Sequence, residues 1–286
     1  MDLERIRTVG IVGAGQMGSG IAQVMAQAGY QVVLQDIGEA FLESGLNRIR
    51  ESLDRLQARG KLSADQASEI LGRIQTAVDM NPLGKAEVVI EAATENLKVK
   101  EEIFRKLDVL APPAAILATN TSSISITRIA SATSRPDKVI GMHFMNPVPV
   151  MELVEIIRGL ATSEETFRCV EGLARAVGKT PVEAQDYPGF IVNRILMPMI
   201  NEAVYALYEG VGKPHDIDMA MKLGTNQPMG PLALADLIGL DTCLSILEVL
   251  HGGLGDSKYR PCPLLRRYVD AGYLGRKSGR GFYSYR

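Results

Sequence analysis

Only three histidines occur in the 286 residues. One of them, His143, opens the run His143-Phe144-Met145-Asn146-Pro147-Val148-Pro149-Val150-Met151-Glu152-Leu153-Val154-Glu155. Its two prolines force extended backbone that cannot join a central ladder, which suits a loop that builds a site. Glu155 follows twelve positions later, on a second apolar run from which its carboxylate can turn back to the imidazole. A histidine held by a carboxylate is the standard general base. The acid fixes the tautomer and stabilises the imidazolium that forms when the ring takes a proton. A single histidine beside a loop is as readily structural, so the pairing carries the expectation. His215, before Asp216 at a helix start, and His251, before Gly252-Gly253, read as structural.

A second cluster is built from glycine. Gly13-Ala14-Gly15-Gln16-Met17-Gly18 fits the pattern GxGxxG. There the first glycine makes a tight turn, the second lets backbone approach a pyrophosphate, and the third lets helix pack on strand. The helix that follows offers free N–H groups and its positive dipole end to phosphate. The pattern alone is weak, but its surroundings add to it. A β-branched run at 8–12 precedes it, and Ile21, Val24, Met25 and Ala28 follow at helical spacing. Gly29 stops that helix, and a second strand ends at Asp36, eighteen positions after Gly18, near the spacing of a ribose-binding acid. Such an acid accepts from both ribose hydroxyls of NAD and repels the 2′-phosphate of NADP. No arginine follows Asp36 directly, so NAD is expected and NADP disfavoured.

These residues need elements to hold them. Candidate strands fall at 8–12, 31–35, 88–91, 115–118, 138–143, 152–157 and 181–184, alternating with amphipathic stretches. Such alternation predicts an α/β, Rossmann-type domain over residues 1–186, a mostly parallel sheet with right-handed crossovers and helices on both faces. Between Gly38 and Gly72 no strand is readable. Leu42, Leu46, Ile49, Leu53 and Leu56 mark one helix face, Gly60-Lys61-Leu62-Ser63 separates a second helical pattern, and Ser63 suits its N-cap. An inserted helical hairpin is expected there. After Asp186 the character changes. Residues 190–207 are apolar on most faces, with Pro198 as a kink, and helical patterns continue at 216–223, 231–238 and 242–251. Tyr187-Pro188-Gly189 is a turn-like junction, which predicts a smaller all-α domain over residues 187–286.

Further blocks stand in one order along the chain. They are Glu91-Ala92-Ala93-Thr94-Glu95-Asn96-Leu97-Lys98-Val99-Lys100, Asn120-Thr121-Ser122-Ser123, Asp186-Tyr187-Pro188-Gly189-Phe190-Ile191-Val192-Asn193-Arg194, Met229-Gly230-Pro231 and Gly275-Arg276-Lys277-Ser278-Gly279-Arg280-Gly281-Phe282-Tyr283. With the His143 run, they resemble the L-3-hydroxyacyl-CoA dehydrogenase family over essentially the whole chain. The resemblance implies an NAD-dependent oxidoreductase of (3S)-3-hydroxyacyl-CoA, with 3-hydroxybutyryl-CoA and acetoacetyl-CoA as the expected pair and a homodimer as the expected assembly. It implies that His143 takes the C3 hydroxyl proton while hydride leaves for the nicotinamide, and that Glu155 orients His143 and compensates its charge. Ser122 and Asn193 would bond the substrate near the C3 oxygen and acyl carbonyl. Gly13, Gly15, Gln16, Met17, Gly18 and Asp36 would hold the dinucleotide. Asn146, Glu95 and Lys100 would line the nicotinamide–ribose side, and Lys277 would come toward the cofactor. Ser52 and Arg59, on a hairpin that also carries Arg48, Arg50, Arg55 and Lys61, would meet CoA. Relatives often carry a lysine-rich stretch where this chain has Leu56-Gln57-Ala58-Arg59.

These residue types suit the chemistry, because the C3 oxygen gains negative charge as hydride departs and calls for neutral donors and a basic imidazole. Each also has a plainer role open to it. Ser122 could cap a helix starting near Ile124, and Asn193 could satisfy a buried backbone group. Glu95 and Lys100 could be exposed charges at a helix start, and the hairpin arginines a solvated face interleaved with Glu51 and Asp54. Two other functions fit parts of the sequence. One is a related NAD-dependent dehydrogenase of a small hydroxy or sugar acid; the other is a non-catalytic, crystallin-like dinucleotide-binding relative. The His143 run with Asn120-Thr121-Ser122-Ser123 favours the acyl-CoA reading, and the presence of His143, Glu155, Ser122 and Asn193 together favours catalysis.

Composition narrows the partners. Lys and Arg number 31 against 33 Asp and Glu, a net charge of −2, which argues against nucleic acid or a membrane surface. Residues 257–286 nevertheless hold eight Lys and Arg against the single acid Asp270, a basic segment for polyanionic ligands. Cys169, Cys243 and Cys262, widely spaced and without CxxC, fit neither a disulfide scaffold nor a zinc cluster, so no metal is expected. Asp2, Glu4, Arg5 and Arg7 precede a short, glycine-broken apolar run, unlike a signal or transit peptide. No apolar stretch approaches the about 20 residues of a membrane span. The cytoplasm, a reducing compartment, is the expected location.

Overall fold

Thr8-Val9-Gly10-Ile11-Val12 forms β1 (Thr8–Val12), buried from its second residue on. β4 (Val88–Glu91), β5 (Ile116–Thr119) and β6 (Val139–Phe144) are buried at every position. Unbroken apolar runs of this kind are what strands covered on both faces require. With β2 (Gln31–Gln35), β3 (Ile74–Ala77), β7 (Leu153–Arg158) and β8 (Thr180–Gln185) they make one eight-stranded sheet in the order β3-β2-β1-β4-β5-β6-β7-β8. This computed structural model describes residues 3–285, which divide into two compact units, the first ending at Tyr187 and the second beginning at Pro188. The parallel-rich sheet, the hairpin inserted in it and the helical second unit agree with the expected fold class.

All neighbouring strands run parallel except β6 and β7. Chain length dictates the exception. A parallel return needs a crossover of about a dozen residues or more, and only residues 145–152 lie between these strands. The antiparallel ladder then sets His143 opposite Glu155 and Phe144 opposite Val154, so the two side chains that matter share one face.

Helices cover the sheet in the first unit: α1 (Gln16–Gln27), α2 (Glu39–Ala58), α3 (Ala64–Gly72), α4 (Leu97–Leu110), α5 (Ile126–Ala130) and α6 (Glu164–Ala176). α2 and α3 are the hairpin. Leu42, Ile49 and Leu53 of α2 are buried in the core, each contributing about 1.5–3 kcal/mol relative to exposure. Ser63 and Gln66 cap α3 reciprocally, each side chain bonding the other's backbone N–H. β3 is absent from the sequence expectation. It is a half-buried edge strand of four residues, Ile-Gln-Thr-Ala, too short to show a period.

The second unit is α7 (Val192–Tyr208), α8 (Pro214–Gly224), α9 (Pro231–Ile238), α10 (Leu240–Leu254) and α11 (Pro263–Asp270), packed around Met197, Ile200, Val204, Leu232 and Leu247. Pro198 sits inside α7, while α8, α9 and α11 begin with proline, whose missing N–H costs nothing there. α11 also went unpredicted. Two buried acids secure the end of the chain. Asp218 accepts from the amides of Leu232 and Ala233 and from the Tyr283 hydroxyl. Asp236 accepts from the amides of Phe282 and Tyr283 and from the Tyr285 hydroxyl. Among the described residues no helix is long and apolar enough to cross a membrane, and no group of potential ligands could hold a metal ion.

Candidate active site

His143 and Glu155 come together as the strand register requires, with Nδ1 2.7 Å from Glu155 Oε2 and both side chains buried. An ionised carboxylate can only accept, so the neutral ring carries its proton on Nδ1 and keeps a basic Nε2. Ser122 Oγ lies 3.1 Å from that Nε2 and, with the tautomer so set, donates to it. Three residues from β7, β6 and the loop after β5 thus form one line.

Glu95 holds that loop. Its Oε1 accepts from Thr121 Oγ1 at 2.6 Å, Ser122 N at 2.9 Å, Ser123 N at 3.1 Å and Ser123 Oγ at 2.8 Å. Asn120 Oδ1 accepts from Phe144 N at 2.8 Å, tying the loop to the strand that carries His143. Ser122 is not a helix cap, because Ser125 and Asp186 fill that role for α5. The line of serine, imidazole and carboxylate also has the look of a hydrolase triad. That chemistry needs amide donors aimed at a developing oxyanion, and the amides of Ser122, Ser123 and Ile124 are turned to Glu95 and Thr121.

Behind Glu95 lies a buried ion pair. Lys100 Nζ is 2.8 Å from each oxygen of Glu91 and 3.5 Å from Glu95 Oε2. Glu91, fully buried at the end of β4, also accepts from Thr119 Oγ1 and Ala93 N at 2.7 Å. Lys100 is therefore buried, not exposed at a helix start. Burial alone would raise the Glu95 carboxyl, but the Lys100 ammonium and the bonds from Thr121, Ser123 and Ser122 outweigh it and hold the group below its ordinary value. A depressed carboxyl stabilises the fold above its unfolded value, and the contribution is lost as pH falls through the folded one. Glu95→Gln should lower the urea midpoint at pH 7, with the gap to wild type closing below about pH 4; a gap that persists in acid would contradict this.

The glycine loop satisfies the geometry of phosphate binding. Gly13 has φ +100°, and a Cβ there would lie 2.7 Å from Ala92 O. One on Gly18 would lie 1.8 Å from Gly13 O, whereas the space beside Gly15 is open. Gly15 precedes α1 with no side-chain cap, leaving the first amides of a twelve-residue helix, those of Gln16 and Met17 among them, for an anion. Asp36 Oδ2 accepts from Ala14 N at 2.6 Å and Oδ1 from Ile37 N at 2.7 Å. Asp36 opens on a mostly apolar cavity of about 490 Å³ with Gly13, Gly15, Phe41, Met80 and Ile103. These residues fit a dinucleotide.

A second cavity of about 340 Å³ lies between α1, α2 and the loop after β6. Ser52 and Arg59 line it, and so do Arg48, Arg55, Gln16 and Asn146. Arg48 also donates to Ala14 O of the glycine loop at 3.3 Å. Of the two glutamines of α1 at this cavity, Gln16 belongs to the glycine motif, while Gln23, on the same helix face, carries no sequence signal of its own. The two prolines mark the wall-forming loop in the sequence, but its place beside α2 follows only once β6 and β7 are paired.

Asn193 and Lys277 belong to the second unit. Asn193 is buried in the first turn of α7, and Lys277 pairs with Asp241 at 2.6–2.7 Å on a half-exposed surface. All three cysteines are buried, and burial pushes the Cys243 thiol up to about 12 and raises that of Cys262, so neither of these two is a ready nucleophile.

Residues 8–187 match the family described as "3-hydroxyacyl-CoA dehydrogenase, NAD binding domain", and residues 189–285 match "3-hydroxyacyl-CoA dehydrogenase, C-terminal domain". The chain is 59% identical over 280 residues to a probable 3-hydroxybutyryl-CoA dehydrogenase of Bacillus subtilis, with 98% of each chain covered. It is 56% identical to a 3-hydroxybutyryl-CoA dehydrogenase of Bradyrhizobium diazoefficiens, covering 98% of this chain and 96% of that one. A solved structure of (S)-3-hydroxybutyryl-CoA dehydrogenase from Ralstonia eutropha is similar with a TM-score of 0.95 at 53% identity, covering 98% of this chain and 99% of that one.

Proposed function

Since the chain belongs to the 3-hydroxyacyl-CoA dehydrogenase family, we propose that it interconverts (3S)-3-hydroxybutyryl-CoA and acetoacetyl-CoA with NAD. The observation that carries this reading is the line Glu155–His143–Ser122, ending on a basic Nε2. When bound, the nicotinamide accepts or returns the hydride, chemistry that belongs to the cofactor. His143 Nε2 takes the proton of the C3 hydroxyl, and Glu155 stabilises the imidazolium so formed. Ser122 turns its hydroxyl from Nε2 to the C3 oxygen, whose charge grows as the reaction proceeds. Asn193 bonds the substrate near its acyl carbonyl.

Gly13, Gly15, Gln16, Met17 and Gly18 cradle the pyrophosphate and Asp36 takes the ribose hydroxyls. Glu95 and Asn146 bound the nicotinamide–ribose side, with Lys100 buried behind Glu95 and acting on the cofactor only through it, and Lys277 serves the cofactor. Ser52, Arg59, Arg48 and Arg55 meet the polyanionic arm of CoA. Purified protein with acetoacetyl-CoA should consume NADH, read as loss of reduced-cofactor absorbance; no turnover with NADH or NADPH would end the proposal. NADH should outperform NADPH. Asp36→Ala should lower kcat/KM for NADH about 10–100-fold, the loss of a charged hydrogen-bond acceptor worth about 1.5–3 kcal/mol. A variant that loses nothing would remove Asp36 from cofactor choice.

Ile195, Val211 and Leu223 of the second unit are largely exposed, which supports a homodimer through that unit, readable as mass by light scattering. Three buried cysteines, widely spaced in the sequence, support residence in the cytoplasm.

A further inference from the structure

The loop at 145–152 joins the strands that carry His143 and Glu155, and its residues 146–150 also wall the cavity beside α2. Two features outside the loop hold it. Val148 is seated on Gly20 of α1, where an added Cβ would lie 2.9 Å from Val148 Cβ. Lys179, just before β8, sends its ammonium to the carbonyls of Val148 at 2.6 Å and Met151 at 2.8 Å. Lys179 is 9% exposed, and both these acceptors are neutral. Burying an ammonium against carbonyls costs desolvation that an apolar side chain would avoid. Its two bonds bracket Pro149 and Val150, closing the turn in which the amides of Val150 and Met151 both bond Pro147 O.

We propose that Lys179 is a positioning residue for acyl-CoA binding, its ammonium fixing the 147–150 wall against which the CoA arm lies. This rests on the acyl-CoA reading of that cavity. His143 is held independently, because Gly141 to Phe144 are paired with Val154 to Ile157 across β6 and β7. Lys179 therefore governs KM for substrates that carry the CoA arm and leaves kcat largely alone.

The test compares acetoacetyl-CoA with the acetoacetyl thioester of N-acetylcysteamine, which lacks the nucleotide arm. Lys179→Met should raise KM for acetoacetyl-CoA roughly tenfold, the loss expected when charged hydrogen bonds are removed. It should leave kcat, KM for NADH and kcat/KM for the truncated thioester within about twofold. Lys179→Arg, which keeps charge and donors, should recover part of the loss. Gly20→Ala pushes on Val148 from the other side and should give the same KM signature, even if Lys179→Met fails to fold. Equal losses with both thioesters, or an unchanged KM for acetoacetyl-CoA, would overturn the proposal. Failure of the acyl-CoA reading would show separately, as a wild type inactive on acetoacetyl-CoA.

Discussion

Replacing His143 by Gln lowers kcat about 10²–10⁴-fold, the range that a positioned general base contributes, with far less change in KM. Gln fills similar space and can keep a polar contact with Glu155, but it has no nitrogen that takes a proton near neutral pH. The loss is therefore in the transition state, where the C3 oxygen must shed its proton as hydride leaves, and it appears equally in kcat and kcat/KM. Glu155→Gln should cost less. Its amide oxygen can still accept from Nδ1–H and hold the tautomer, while the charge that stabilises the imidazolium is gone. Initial rates at saturating NAD and 3-hydroxybutyryl-CoA measure both. An unchanged kcat for His143→Gln would remove the residue from the mechanism.

Lys100→Met costs about 3–5 kcal/mol of stability, the penalty for leaving a buried carboxylate without its partner. Glu91 is fully buried and both its oxygens bond the ammonium, and among the described residues no other cation is paired with it. Against a typical total of about 5–15 kcal/mol this is a large fraction. It should appear in the urea midpoint of the first unit. The double variant Glu91→Gln with Lys100→Met should recover much of the loss, because an amide can be satisfied by Thr119 without a counter-charge. A single variant within about 0.5 kcal/mol of wild type, the size of an ordinary surface change, would mean that the pair is not the anchor described. Lys100 also lies 3.5 Å from Glu95, so the same variant loosens the loop carrying Ser122 and reduces activity.

The elements around the chemistry were legible because their signals are local. The apolar runs at 8–12, 31–35 and 88–91 coincide with β1, β2 and β4, and the Ser63 cap is where a serine before a helical pattern belongs. The strands at 116–119 and 139–144 are each displaced by one residue from expectation. β3 and α11 went unread for different reasons. A half-buried edge strand carries little pattern, and α11, an eight-residue helix opening Pro-Leu-Leu-Arg-Arg, looks like a turn until its Leu265 meets the second core.

What the chain alone determined is the kind of chemistry available. GxGxxG, an acid eighteen positions on, and a histidine twelve residues before a glutamate are properties of covalent spacing. Once strands form, their period of two and the short 145–152 connection place that histidine and glutamate opposite each other. Tertiary structure decided the partners that come from distant segments. Glu95, rather than a helix, holds Ser122. Lys100 is buried against Glu91, and Lys179 reaches across to the carbonyls of Val148 and Met151. No local rule encodes these pairs, because they are enforced by burial: a charge removed from water takes whichever donor or acceptor the packed chain brings to it.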